Sequence, residues 1–298
     1  MRRSIAKNKT SWMNLMWLAT LAFVWFTFSG APAVTQSEPQ STRVLALGGS
    51  VTEIVYALGE GDRLIGRDST STHPSDALDL ANVGYVRALS PEGVLSIEPD
   101  LIIAIEGSGP PEAVEVLQAA DVPWVSVPEG YDAEAIREKI ETVASALGVD
   151  EAGEALASEV DAALTDAVVS ASRDDPPRVM FILSMQGGRI MAAGENTGAD
   201  GIIRLSGAQN ALEGFDGYKQ VSDEAVLVAQ PDVILMMDRG GGHAAGDDII
   251  LGHPALGQTP AAQTGAIVRQ SGLLMLGFGP RTPEAVSALS TAYAEVIN

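Results

Sequence analysis

The sequence of 298 residues contains no cysteine and only three histidines. Without cysteine it can form no disulfide, no thiolate zinc site and no cysteine-ligated iron–sulfur cluster, and it has no cysteine nucleophile. A site for free zinc or manganese ordinarily combines two or three histidines with a carboxylate. His73 and His253 each precede a proline in turn-like contexts, and His243 lies in a glycine-rich stretch. We therefore expect no dedicated site for a free divalent metal ion.

Basic residues are also scarce. The chain has 18 lysines and arginines against 39 acidic residues, which gives a formal net charge of -21. DNA, RNA and anionic lipid surfaces bind proteins mainly through lysine and arginine, with release of counterions. We therefore expect no nucleic-acid partner. The 46% hydrophobic content is that of an ordinary globular protein, long enough for one large domain or two lobes.

Residues 1–33 differ from the rest of the chain. They contain a basic start, an apolar run over 15–28 and an Ala-x-Ala site at 31–33. This order is typical of a secretory signal peptide, and the apolar run is shorter than the roughly 20 residues that span a membrane. No cysteine follows the run to carry a lipid anchor. We therefore predict an exported, soluble, periplasmic protein without stable membrane insertion after cleavage.

Buried strands alternate with helices after residue 42, which favours a parallel sheet covered on both faces. Ser50 and Glu53 have the spacing of a capping box, in which the serine caps a helix and the glutamate reaches back to it. The predicted strands are 43–47, 64–66, 101–105 and 124–127, and the predicted helices include 50–58 and 111–120.

An internal repeat relates residues 90–102 to residues 222–234. Each copy predicts a serine-capped short helix with an acid at its second position, a Pro-Asp stop and a buried strand. The acids are Glu92 and Glu224. A helix that begins after a capping residue, Ser50 or Thr197, precedes each copy. A period this long indicates two similar lobes rather than a solenoid.

Residues 150–172 are rich in alanine, glutamate, leucine and valine, and they form the strongest helix prediction in the chain. We predict an α/β protein with two similar lobes, each with a mostly parallel sheet, joined by this one long helix. The ligand site is expected in the cleft between the lobes. The predicted divisions are the signal peptide 1–33, the N-terminal lobe 34–149, the connecting helix 150–174 and the C-terminal lobe 175–298.

The sequence has no phosphate-binding loop, zinc-protease helix or nucleophile elbow, so we predict that it is not an enzyme. Tyr85 and Arg87 attract attention because they lie two residues apart just before a helix cap, so in extended chain both side chains point to one side. Ferric iron and a neighbouring guanidinium both favour a phenolate. A packed ring and a surface charge are the simpler interpretation of the same two residues.

With the repeat and the long helix, the segment 84–93 gives the chain a resemblance to the periplasmic haem-binding proteins of bacterial ABC haem-uptake systems. These belong to the substrate-binding proteins with a helical backbone, which also include cobalamin and siderophore binders. The resemblance covers nearly all of the mature chain, and it is carried further by the segments 45–53, 68–72, 252–256 and 276–283.

The resemblance implies that Tyr85 is the axial ligand of the iron in haem b, the transported ligand. It further implies that Arg87 meets the phenolate or a propionate and that Arg239 faces the cleft from the other lobe. The sixth iron ligand is left open between Met185, His243 and none. The region around Met185 has no histidine, which argues against a second haem.

Glu92 and Glu224 match the paired acids with which such proteins dock on arginine pockets of the membrane permease, one acid on each lobe. An acid in the first turn of a helix also stabilises the helix dipole wherever the helix lies. The expected partners are thus haem and the permease with its ATPase, and the expected form is a monomer. The alternatives are a corrinoid or ferric-siderophore binder of the same fold, an exported enzyme, and a structural protein.

Overall fold

A computed structural model of the protein describes residues 42–238 and 246–297. The predicted signal segment 1–33, Arg239 and His243 lie outside these ranges. Within them, no helix combines the length and apolar character needed to cross a membrane.

The strands and helices follow one another along the chain in an alternating pattern. The strands are β1 (Val44–Leu47), β2 (Leu64–Arg67), β3 (Ala81–Asn82), β4 (Leu101–Ile105), β5 (Trp124–Val127), β6 (Arg178–Gln186), β7 (Arg189–Ala193), β8 (Gln209–Asn210), β9 (Tyr218–Val221), β10 (Val233–Asp238) and β11 (Ile267–Ser271). The helices are α1 (Gly49–Ala57), α2 (Pro91–Leu95), α3 (Pro111–Gln118), α4 (Ala133–Leu147), α5 (Asp150–Ala171), α6 (Gly198–Leu205), α7 (Asp223–Ala229), α8 (Asp247–Leu251), α9 (Pro260–Thr264), α10 (Gly272–Leu276) and α11 (Thr282–Ile297). Short 3-10 helices occupy Gly61–Arg63, Ser75–Asp79 and Leu256–Gln258.

The first half of the chain forms a parallel sheet with the strand order β3-β2-β1-β4-β5. Its central strand β1 is a run of four apolar residues that are fully buried, as expected for a parallel strand with both faces covered. Gly48 follows it with a φ of 112°, and a Cβ at this position would lie 2.8 Å from the Cγ2 of Ile105. Only glycine allows the chain to turn here directly into α1.

The second half forms a mixed sheet with the order β11-β10-β6-β7-β9, and β8 pairs with β6. Strands β6, β10 and β11 are parallel, whereas β7 runs antiparallel to both of its neighbours. The prediction of an α/β protein with mostly parallel sheets is therefore confirmed. The antiparallel strand arises because β6 and β7 are joined by a tight turn at Gly187 and Gly188, both with positive φ.

Helix α5 connects the two sheets and is the longest helix of the described residues, with 22 residues. Helix α4 of the first half and helix α11 of the second half both pack against it. Gly153 on α5 makes the approach to α4 close, because a Cβ there would lie 2.3 Å from the Cβ of Ala144. Helix α5 covers residues 150–171 of the predicted helix 150–172, whereas the predicted connecting segment extends to residue 174.

The two copies of the repeat form the same local structure. The hydroxyl of Ser90 accepts a hydrogen bond from the amide of Gly93 at the start of α2, and the hydroxyl of Ser222 accepts one from the amide of Ala225 at the start of α7. Thr197 caps α6 in the same way. These three predicted caps are confirmed.

The predicted capping box at Ser50 is wrong. Helix α1 begins one residue earlier, at Gly49, and has no side-chain cap of its own. Ser50 lies inside the first turn, and Glu53 does not reach back to the start of the helix but binds Arg281 near the other end of the chain.

A neighbouring loop takes over the capping role. The carboxylate of Asp68 accepts a hydrogen bond from the amide of Gly48 at 3.0 Å, and the hydroxyl of Thr70 accepts one from the amide of Gly49 at 3.1 Å. Asp68 is fully buried and also accepts bonds from Thr70 and Ser71. The first amides of α1 are therefore satisfied from outside the helix, which explains why Ser50 does not cap it.

Candidate functional site

A cavity of about 860 Å³ lies between the two halves. Its volume is within the range of roughly 300–1,000 Å³ that is common for small-molecule and cofactor sites. Both halves contribute its walls, as the sequence predicts. The side chains considered below are Tyr85, Arg87 and Tyr131 from the first half and Leu183, Tyr218 and Met237 from the second.

Tyr85 lies in the loop between β3 and α2, and its side chain is 48% exposed. The loop is fixed on both sides of the ring, since the carbonyl of Gly84 accepts from the amide of Ser69 and the carbonyl of Tyr85 accepts from the amide of Ala88. Among the described residues, none is hydrogen-bonded to the Tyr85 hydroxyl. The phenol is thus held at the cavity wall by its backbone, with its oxygen open to a ligand.

Arg87 lines the same cavity, and its side chain is about half exposed. Its guanidinium donates a hydrogen bond to the carbonyl of Gly107 at 3.3 Å and lies 3.7 Å from the carboxylate of Glu129. A Cβ at Gly107 would lie 2.9 Å from Nη1 of Arg87, and the φ of Gly107 is 73°. The positive φ favours glycine at position 107, and the absence of a side chain there leaves the space that the guanidinium occupies.

Tyr85 and Arg87 both line the cavity, for a reason different from the predicted one. The chain turns at residues 86–87 rather than continuing as an extended strand, and the carbonyl of Tyr85 is bonded across this turn to the amide of Ala88. The prediction of an extended chain here is wrong. Both side chains line the cavity because the turn lies at its edge, and the buried Val86 between them lines it as well.

The opposite wall combines aromatic and apolar side chains with polar ones such as Asn196, Thr197 and Ser271, and sequence reasoning did not find it. Tyr218 on β9 packs edge-to-face on Phe181, with ring centroids 6.3 Å apart, and burial raises the pKa of its phenol. Leu183 and Met237 lie near the ends of β6 and β10 on the same wall. Because β6 and β10 are parallel neighbours with Met236 paired to Ile182, Leu183 and Met237 lie at the same level of the sheet although they are far apart in the sequence.

Tyr131 belongs to the first half and contacts residues of the second half. Its ring packs edge-to-face on Phe278 with a centroid distance of 5.2 Å. A Cβ at Gly201 of α6 would lie 2.7 Å from Tyr131, so the missing side chain makes room for it. Burial raises the pKa of the Tyr131 phenol, with a smaller contribution from Glu129. The sequence marks the position of Tyr131 only through the next residue, Asp132, which caps the start of α4.

The histidines within the described residues do not face the cavity. His73 is exposed, beside a cis peptide bond to Pro74. His253 is buried, its Nε2 lies 3.0 Å from the carbonyl of Gly188, and its Nδ1 accepts from the amide of Ala255. Met185 packs partly buried against the core and is not a lining residue. The described part of the chain contains no group of three or more histidine or acidic residues arranged to hold a metal ion.

Glu92 and Glu224 occupy equivalent places on the two halves. Each is the second residue of its short helix and is exposed, and each follows the capping serine of that helix by two positions. Both acids therefore lie at positively polarised helix starts. Their common setting reflects the internal repeat.

A two-sheet α/β protein with a helical spine and a ligand-sized cleft between its halves has the form of a substrate-binding protein. The chain belongs to the periplasmic binding protein family, whose sequence pattern matches residues 44–270.

Similar solved structures include the periplasmic haem-binding protein BhuT in complex with two haems, which is 40% identical with a TM-score of 0.81 and aligns over 86% of this chain and 99% of that one. The haem-binding protein RhuT from Roseiflexus sp. RS-1, in apo form, is 38% identical with a TM-score of 0.82 over 87% and 100% of the two chains. Among curated relatives, the vitamin B12-binding protein of Vibrio campbellii is 30% identical over 193 residues, 64% of this chain and 69% of the relative.

Proposed function

We propose that this protein binds haem in the cleft between its halves and carries it, chemically unchanged, to an ABC importer in the inner membrane. The observation that carries the proposal is a ligand-sized cavity between the halves that is lined by the half-exposed phenol of Tyr85, by Arg87 and by apolar side chains. The similarity to haem-binding proteins such as BhuT and RhuT supports it.

Each part of the cleft matches a part of ferric haem. The apolar residues Val86, Leu183, Met237 and Leu273 offer surface to the porphyrin faces. A phenolate oxygen suits hard ferric iron, and Tyr85 is the cavity phenol that is half exposed and has no hydrogen-bonding partner in the described residues. Arg87 can pair with a propionate through charge-assisted hydrogen bonds. Arg239 is expected to add a second cation from the other side.

Export and docking complete the proposal. Residues 1–33 act as a signal peptide, the protein works as a periplasmic monomer, and Glu92 and Glu224 meet the permease with one acid from each half. The exposed position of both acids at equivalent helix starts supports this docking role. Membership of the periplasmic binding protein family supports solute binding without catalysis.

A titration with haemin tests the proposal. Purified protein without residues 1–33 should bind haemin and give an absorption spectrum of five-coordinate, tyrosine-ligated ferric haem. The same spectrum as haemin in buffer would refute it.

A corrinoid is the second candidate, because the relative from Vibrio campbellii is named a vitamin B12-binding protein. A parallel titration with cyanocobalamin separates the two ligands. Tight binding of the corrinoid together with no spectral change on adding haemin would favour this second function, and the same format applies to ferric siderophores.

A further inference from the structure

The cavity wall carries an acid directly beside its arginine. Glu129 follows β5 and lines the cavity, and its carboxylate lies 3.7 Å from the guanidinium of Arg87. The Glu129 side chain is 26% exposed and that of Arg87 is 54% exposed. The ion pair is therefore partly shielded from water on the glutamate side and open to the cavity on the arginine side.

The field of Glu129 extends across the cleft. Its charge raises the pKa of Tyr131 beside it and, as a minor contribution, that of Tyr218 on the opposite wall. It also favours the charged form of Lys139, the buried lysine behind the same wall. The backbone amide of Glu129 donates to the carboxylate of Glu106 at 3.3 Å, which holds the segment in place.

The cavity wall carries more acidic than basic side chains. Among the described residues that line it, the charged ones are Arg87, Glu129 and Asp238. An anionic ligand that enters the cleft therefore meets one cation that is already paired with an acid. Any carboxylate that binds Arg87 has to compete with Glu129 for the guanidinium.

We propose that Glu129 is a specificity-determining residue, which neutralises Arg87 in the empty cleft and sets a threshold that a ligand carboxylate must overcome. This inference rests on the proposed binding of haem. Small anions such as phosphate have only Arg87 to bind, and Glu129 opposes them. Haem has its iron anchored at Tyr85, so its propionate is held close to Arg87 and competes at high effective concentration.

The proposal predicts that removing the charge of Glu129 changes the affinity for ligands with a free carboxylate more than the affinity for ligands without one. Glu129→Gln should tighten binding of haemin by about 3-fold to 10-fold, since the repulsion and the competition for Arg87 are both lost. Binding of the ferric haem dimethyl ester, whose propionates are neutral, should change less than 2-fold. The absorption spectrum of the bound haem should stay that of the wild type, because the iron ligand is untouched.

Three controls define the test. Glu115→Gln removes an exposed carboxylate on α3 that does not line the cavity and should leave haemin affinity unchanged. In an Arg87→Gln background, Glu129→Gln should give a smaller gain than in the wild type, since the competition needs both residues and only the repulsion remains. Glu129→Asp moves the carboxylate away from Arg87 because its side chain is shorter, so it should give a smaller gain in haemin affinity. This variant replaces Glu129→Gln in the test if the glutamine variant is unstable.

Equal or weaker haemin binding in Glu129→Gln would overturn the inference, and so would an equal gain for haemin and its dimethyl ester. If the wild type binds no haemin, the proposed function fails and the inference fails with it. If the wild type binds haemin but the variant shows no ligand-dependent gain, only the role of Glu129 is rejected.

Discussion

Glu53 and Arg281 form an ion pair that ties the first helix of the chain to the start of its last helix. Glu53 belongs to α1 in the first half, and its side chain is only 6% exposed. Arg281 immediately precedes α11 in the second half. Burial raises the pKa of Glu53, and the hydrogen bond and charge of Arg281 oppose that rise. The pair is therefore a fixed connection between the halves behind the cleft.

Removing the arginine should destabilise the fold. In Arg281→Gln the buried carboxylate loses its cation, which we expect to lower the free energy of unfolding by about 3 kcal/mol. Urea unfolding followed by circular dichroism measures the loss. Glu141→Gln breaks the exposed pair between Arg137 and Glu141 and should change stability by less than about 0.5 kcal/mol. An equally small effect in Arg281→Gln would show that the pair contributes little.

The pH dependence of this variant has a definite sign. A carboxyl whose folded pKa lies above the ordinary 4.5 binds more protons in the folded state, so its contribution to stability falls as the pH rises through the folded pKa. Without Arg281 the pKa of Glu53 rises further. The deficit of Arg281→Gln relative to wild type should therefore be larger at pH 7 than at pH 5.

Lys139 should limit stability at neutral pH. It is 1% exposed on α4, its amine donates to the carbonyl of Gly277 at 3.3 Å, and burial lowers its pKa to about 8. Below that value the folded state holds a buried ammonium, and the lost stability returns as the pH rises from about 8 to the ordinary 10.5. Lys139→Met should raise the free energy of unfolding at pH 7 by about 1–3 kcal/mol.

Measurements at two pH values check this prediction. The advantage of Lys139→Met over wild type should shrink between pH 7 and pH 9.5. Lys219→Met, which changes an exposed lysine over the ring of Phe215, should show no such trend. A constant difference between Lys139→Met and wild type across this range would contradict the proposed burial of charge.

Tyr85→Phe should abolish the tyrosine-ligated spectrum of bound haemin and weaken its binding at least 10-fold, because the variant lacks the oxygen that binds the iron. Tyr218→Phe is the matched control. The phenol of Tyr218 also lines the cavity, but it belongs to the second half of the chain, where it packs against Phe181. We expect the Tyr218 variant to keep the wild-type spectrum. The opposite pattern would assign the ligand to Tyr218.

Charge reversal should separate docking from haem binding. Glu92→Arg and Glu224→Arg should each reduce haem uptake by the cognate ABC importer in proteoliposomes at least 5-fold, and their affinity for haemin should equal that of wild type. Glu154→Arg reverses an exposed acid on the connecting helix and should have no effect. Full uptake with both docking residues reversed would exclude the proposed contact.

The two helices proposed to dock, α2 and α7, should differ in their sensitivity to apolar substitution. Val228 lies one helical turn after Glu224 and is 79% exposed, whereas the equivalent position after Glu92 is Ser96. Val228→Ser should weaken the interaction with the importer about 2-fold to 5-fold, because it removes apolar area from that face. Val169→Ser changes a valine on α5 that is 70% exposed and should leave uptake unaltered.

Local signals predicted much of the fold. The apolar runs of β1 and β4, the connecting helix and the serine caps at Ser90 and Ser222 are each encoded within a few neighbouring residues. The internal repeat indicated two similar halves because its two copies specify the same helix and strand. These features need no knowledge of distant parts of the chain.

The rest depends on contacts between residues far apart in the sequence. Glu53 is drawn away from its predicted capping role by Arg281, and the amides at the start of α1 are bound by Asp68 and Thr70. Likewise, Tyr218 and Met237 become neighbours of the cavity only because the second sheet brings their strands to one edge. By contrast, helix α4 is specified locally, by the capping side chain of Asp132 at its start and by Gly148 at its end, although the sequence analysis did not predict it.

Helix α5, the ion pair between Glu53 and Arg281 and the hydrogen bond from Lys139 to the carbonyl of Gly277 connect the two halves of the protein. These connections oppose a large hinge motion of one half against the other, so we expect little closure of the cleft when a ligand binds. We therefore expect ligand release to require a force that separates the two halves, which the proposed ABC importer would apply at Glu92 and Glu224.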